Sequence, residues 1–173
     1  VQKFKEIGCL QQFAVVHNNE LKIKFAVEPY KEEDIKQLFS LSKTFTSMAI
    51  GKAVDEGKLR LDEKVIDIFP FFAPQNPSEN MKKMTVFNLL TMNTGHASCV
   101  MPQMCMGGGN PIINFMNLDI PYEPGTHFAY NSGASLVLSA IINVRSGMSV
   151  DKYLEPLYEA LNIKNRLYEE IEG

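Results

Sequence analysis

Cysteine is scarce in this sequence: three in 173 residues, at Cys9, Cys99 and Cys105. An odd number at these spacings forms neither a disulfide framework nor a tetrahedral metal site, so no metal is expected. Long apolar runs are also lacking. None approaches the roughly 20 residues that cross a bilayer, and no membrane segment is expected. Residues 1 to 20 carry none of the charged, apolar and small-residue blocks of a secretory leader, which points to the cytoplasm. The sequence opens on Val1, not methionine, so an upstream signal or tether removed by processing stays open. An excess of positive charge is missing as well. Lysine and arginine number 17 against 20 acids, for a net charge of -3. The cations are scattered among the acids and form no basic stripe, which excludes the usual electrostatic footprint for nucleic acid. No internal repeat or low-complexity stretch interrupts the chain.

What is there suits an ordinary globular domain: 45% hydrophobic and 21% charged residues are enough to build a core. Residues 13 to 27 read as two antiparallel strands turning at Asn18-Asn19. Helical spacing of Phe45, Met48, Ala49, Lys52 and Ala53 predicts a helix from Phe39 to Glu56, stopped by Gly57. A short helix capped by Asp62 and ended before Pro70 is expected next, followed by a proline-broken loop over 70–80. Thr85 should cap a third helix closed by Gly95. Residues 96 to 129 read as irregular, and a loop that long is more often functional than decorative. Ser132 to Val144 reads as an apolar helix ended by Gly147, and Ser149 caps another that begins at Val150 and is interrupted at Pro156.

The chemistry-bearing pattern is Ser40-Leu41-Ser42-Lys43. Three residues apart at the start of a helix, Ser40 and Lys43 share a face and lie within reach of each other. A serine hydroxyl is a poor nucleophile until a neighbour takes its proton. A lysine held in a partly desolvated cleft is driven toward the neutral amine that does so, and a helix N-terminus adds partial positive charge where an oxyanion develops. A second copy, Ser149-Val150-Asp151-Lys152, reads as a helix cap. The tetrapeptide alone also admits a bland reading, an N-cap serine with an exposed lysine.

Longer blocks break that tie. The stretch FSLSKTFTSMAIGKAVDEGKLRLDEKVIDIFP resembles the nucleophile segment of class C β-lactamases and their esterase and peptidase relatives. MTVFNLLTMNTGH resembles that family's Thr-x-x-x-Leu-Leu-x-x-x-Ser/Thr-Gly-His block, and EPGTHFAYNSGASLVLSAII its Pro-Gly-x-x-Phe-x-Tyr segment. These blocks stand in family order across roughly residues 13 to 165. The resemblance implies an α+β fold of β-lactamase/DD-peptidase (transpeptidase-like) type, here an N-terminal hairpin plus most of the helical region. It also implies that Ser40 is the acyl-accepting nucleophile, with Lys43 and Tyr130 sharing acid/base work and Asn131 or Ser132 bonding the substrate or the lysine. The family pattern has asparagine where this chain has Ser132, which leaves that third role open. His96 and His127 read as structural.

The family's third motif, Lys/His-Thr/Ser-Gly, is not found. Arg145-Ser146-Gly147 imitates its letters but reads as a helix terminus. The expectation is therefore one domain over residues 1 to 173 that stops short of its C-terminal strands, and that self-associates through the open edges of its ribbon. The expected partner is a small ester, amide, peptide or β-lactam, with no cofactor. Against the serine hydrolase stand two alternatives: a domain that binds such a ligand without turnover, and an inactive fragment.

Overall fold

A tight turn organises the N-terminal residues of the computed structural model, which describes residues 2–106 and 108–168. Asn18 and Asn19 both adopt left-handed backbone, at φ 51° and 62°. Two such residues make the hairpin turn whose twist matches its strands, and asparagine tolerates the region better than any bulky residue. The turn joins β1 (Gln12–His17) to β2 (Glu20–Ala26), after a short helix α1 (Gln2–Lys5). The strands pair antiparallel with Phe13 opposite Phe25 and a register shift between Val15 and Val16. The Phe13 and Phe25 rings lie 5.3 Å apart, and Phe4 stacks on Phe13 at 4.8 Å. The Gln12 side-chain amide donates to the Lys31 carbonyl at 2.6 Å, tying down the loop that follows. The backbone divides into two compact units, residues 1–38 with this ribbon and residues 39–173 with the helices.

The second unit begins with a 3-10 turn at Phe39–Leu41 that runs into α2 (Ser42–Asp55). Ala49, Ile50 and Ala53 form the buried stripe of α2. Met48, expected there, stays exposed, because the buried face is set one residue further on. Gly57, at φ 69°, turns the chain out of the helix as its sequence predicts. The next helix, α3 (Val65–Ile68), starts after extended Lys64, without a side-chain cap. Asp62 is thus not the cap. Its carboxylate takes the guanidinium of Arg60 in a two-pronged ion pair instead.

The loop over residues 70–80 ends in structure: Ser78 caps α4 (Glu79–Lys83), accepting from the Met81 backbone N–H at 3.1 Å. Thr85 caps α5 (Val86–Leu90) with Asn88 in a reciprocal capping box. That helix closes at Leu90, so Gly95, at φ 89°, belongs to a later turn and not to the helix end. The expected irregular stretch 96–129 carries α6 (Met101–Met106) and α7 (Pro111–Asn117). Asn110 caps α7 and Pro111 opens it, a start that the sequence states but a composition-based reading passes over.

The long α8 (Ser132–Ser146) is the spine of the second unit, with α9 (Val150–Tyr153) and α10 (Glu155–Ala160) following. It buries Val137, Leu138, Ile141 and Ile142 completely or nearly so, and ends at left-handed Gly147 as expected. Each such aliphatic chain contributes on the order of 1.5–3 kcal/mol by leaving water. Helices α2, α5 and α9 pack around α8, with Ser40 in the turn before α2, Lys43 in its first turn, and Tyr130 two residues before α8 begins.

Candidate active site

Ser40 sits in the 3-10 turn that precedes α2, one turn before Lys43. Phe39 before it is left-handed at φ 47°, a conformation that costs a residue with a bulky side chain about 1–2 kcal/mol. The Ser42 hydroxyl donates to the Phe39 carbonyl at 2.6 Å and helps hold the turn. Lys43 Nζ donates to Ser40 Oγ at 3.1 Å. The i, i+3 relation seen in the sequence is therefore a direct contact.

Tyr130 arrives from 90 residues away. Its hydroxyl lies 2.5 Å from Ser40 Oγ, and Lys43 Nζ stands 5.2 Å from its ring centroid, within cation–π range. The hydrogen bond to Ser40 holds the phenol below the ordinary tyrosine value, and Lys43 and the Ser132 hydroxyl lower it further against partial desolvation. A phenol so placed is easier to ionise in contact with a serine oxygen, which suits a proton carrier.

The two remaining candidates part company. Ser132 is half-buried beside this cluster and lines an open groove of about 620 Å³ between α2 and α8. Ser42, Lys43, Thr46, Ser135 and Ser139 also line it, and Lys43 is the one formally charged side chain on its described walls. Asn131 lies beneath the site, fully buried. Its Oδ1 accepts from the backbone N–H groups of Gly133 at 3.0 Å and Val100 at 3.2 Å, capping α8, and its Nδ2 has no partner among the described residues.

His96 is buried, takes Thr94 Oγ1 at 2.9 Å on Nδ1, and packs against Phe115. His127 stacks on Tyr122 at 4.2 Å. Neither ring is bonded to Ser40. The Ser149 hydroxyl accepts from the Lys152 backbone, so the second Ser-x-x-Lys copy is a cap. Arg145 pairs with Glu63, and Ser146 Oγ donates to the Ile142 carbonyl at 2.7 Å, which makes 145–147 a helix end. Among the described residues, no three His, Cys, Asp or Glu side chains converge as metal ligands do. The left-handed backbone at Phe39 has no sequence signal, because nothing in a phenylalanine announces that conformation.

Comparison with known proteins shows the family and the fold. A family profile described as beta-lactamase matches residues 9–165. Penicillin-binding protein 4 of Amycolatopsis lactamdurans is 30% identical over 127 residues, which cover 70% of this chain and 32% of that protein. The octameric penicillin-binding protein homologue from Pyrococcus abyssi superposes with a TM-score of 0.70 at 25% identity, over 88% of this chain and 39% of that one. A beta-lactamase/D-alanine carboxypeptidase from Pseudomonas syringae superposes at 0.75 with 20% identity, over 94% and 47%. The chain thus spans about a third of the curated relative and less than half of either solved structure.

Proposed function

From the premise that this chain belongs to the beta-lactamase family and carries part of its α+β fold, we propose that it is a serine hydrolase in which Ser40 attacks an ester, amide or β-lactam carbonyl. The observation that carries the reading is the Ser40 oxygen held between the Tyr130 hydroxyl at 2.5 Å and Lys43 Nζ at 3.1 Å. In the first step Tyr130, starting as the phenolate, takes the Ser40 hydroxyl proton and becomes the neutral phenol as Oγ bonds to the carbonyl carbon. Lys43 donates to Oγ and stabilises negative charge on the phenol oxygen. The proton then moves from Tyr130 to the leaving nitrogen or oxygen as that bond breaks and the Ser40 ester forms. Water repeats the sequence on the ester, with Tyr130 taking its proton, and frees Ser40. The penicillin-binding and D-alanine carboxypeptidase relatives support a β-lactam or a D-alanyl peptide as the carbonyl donor.

Intact-mass measurement after exposure to a fluorophosphonate and, separately, to a penicillin tests this. The wild-type chain should gain one adduct with each, Ser40→Ala none, and Tyr130→Phe should acylate roughly 10²–10⁴-fold more slowly, the usual weight of a general base. No adduct on the folded wild-type chain would sink the proposal. A second reading, ligand binding without turnover, is favoured by Ser132 standing where the family pattern has asparagine. A penicillin adduct that persists without release of product marks it.

A further inference from the structure

Tyr130 lies outside every helix and strand, at the end of a segment that has no regular structure from Tyr122 onward. Its position therefore has to come from somewhere else. Three backbone bonds join this segment to the turn at 92–95. Tyr122 N–H donates to the Gly95 carbonyl at 3.1 Å, Gly125 N–H to Asn93 at 2.8 Å, and Ala129 N–H to Met92 at 3.0 Å. The last of these is one residue from Tyr130. The approach is close: a Cβ on Gly95 would stand 2.2 Å from the Tyr122 carbonyl oxygen.

The turn itself is held by side chains. Asn93 Oδ1 accepts from Asn88 Nδ2 at 3.1 Å and lies 2.8 Å from the Thr91 hydroxyl. Asn88 is fixed on α5, where it is 8% exposed and its Oδ1 accepts from the Thr85 backbone N–H at 2.9 Å and the Thr85 hydroxyl at 2.8 Å. Between them Met92 is left-handed at φ 54°. A non-glycine residue stays in that region only where its surroundings over-determine it.

We propose that the Asn88–Asn93 pair is a positioning device for Tyr130: it locks the turn whose Met92 carbonyl holds Ala129, and so sets the phenol against Ser40. This rests on the acyl-transfer reading for its catalytic meaning, but the geometry it describes does not. Without the Asn93 side chain, Met92 relaxes toward ordinary backbone and carries Ala129 with it. A 2.5 Å hydrogen bond does not survive a displacement of about an ångström.

The test is an ultraviolet difference titration of Tyr130, reading each protein against its own Tyr130→Phe version. In the wild-type chain the phenol ionises below its ordinary value of 10.0, because Ser40 and Lys43 bond to it. Asn93→Ala is expected to return the titration toward that value and to slow fluorophosphonate labelling about 10-fold or more through its maximal rate, not through probe affinity. Asn93→Asp keeps an acceptor oxygen for both donors and should restore the wild-type titration, which a loss of general stability does not explain. A folded Asn93→Ala protein with an unmoved Tyr130 titration overturns the proposal. If Asn93→Ala does not fold, Thr91→Val takes its place: a smaller shift in the same direction supports the proposal and no shift overturns it. The titration needs no turnover. A chain that is never acylated, yet whose Tyr130 follows the Asn93 variants, refutes the hydrolase reading and leaves the positioning role standing.

Discussion

The imidazole of His96 carries a pH dependence that needs no catalysis to observe. Burial pushes its pKa down to about 4 from 6.5, with Asp119 acting weakly in the opposite direction. In the unfolded chain the ring binds a proton below about 6.5, and in the fold it does so only near 4. The unfolded state therefore holds the extra proton between these values, and stability rises with pH across that window. The contribution is complete above pH 6.5 and is lost as pH falls to 4, on the order of 3 kcal/mol. Denaturant melts at stepped pH should show this fall, and His96→Gln should flatten it. An equally steep fall in the variant would assign the effect to other groups. The residues of the site were unequally legible. Ser40 and Lys43 are neighbours on one helical turn, so their spacing states their contact. Tyr130 has no such local clue and was found by resemblance to a family block. Asn131 was expected beside the substrate, but its letter serves equally as an α8 cap, and burial decides for the cap. The left-handed Phe39 and Met92 were beyond reading, since tertiary contacts impose what their propensities oppose.

At the level of helices, the sequence was most legible where a cap is a side chain with one role. Thr85, Ser149 and Gly147 behave as their positions predict. Asp62 misled because Arg60, two residues away, offered its carboxylate a better partner than a helix end. Ser78 and Asn110 went unread inside stretches whose proline and glycine content suggests loop. The start of α8 is where helix packing bears hardest on the site. A Cβ on Gly133 would stand 2.5 Å from Met104 Sδ and 3.0 Å from Val100 Cγ2, so α8 and α6 meet there without room for a methyl group. Gly133→Ala is expected to destabilise the chain by about 1–3 kcal/mol, the usual weight of overpacking, despite alanine's better helix propensity. Thermal melts decide this; a stabilised variant would mean that Met104 gives way freely. The same substitution at Gly147, where nothing lies within 4 Å but φ is 71°, measures backbone strain alone at about 1 kcal/mol.

On the scale of the whole molecule, the α+β class and the family frame were legible because several blocks recur in order. The stretch expected to carry them, 13 to 165, falls inside the matched 9–165. Val16 and Leu21 are 65% and 58% exposed on a sheet of two strands, each with one edge unpaired among the described residues. Such edges recruit other strands. Light scattering over a concentration series is expected to show a rising mass that Val16→Lys suppresses; a monomer at every concentration rules this out. The 90-residue separation of Ser40 and Tyr130 makes the site a timekeeper. The serine and its lysine meet as soon as one helical turn forms, but the phenol reaches them only after α8 has docked on α2, a contact of high sequence separation and therefore late. A fluorophosphonate added during refolding should thus label the chain no faster than the last long-range packing step, and its adduct would count molecules that have finished folding.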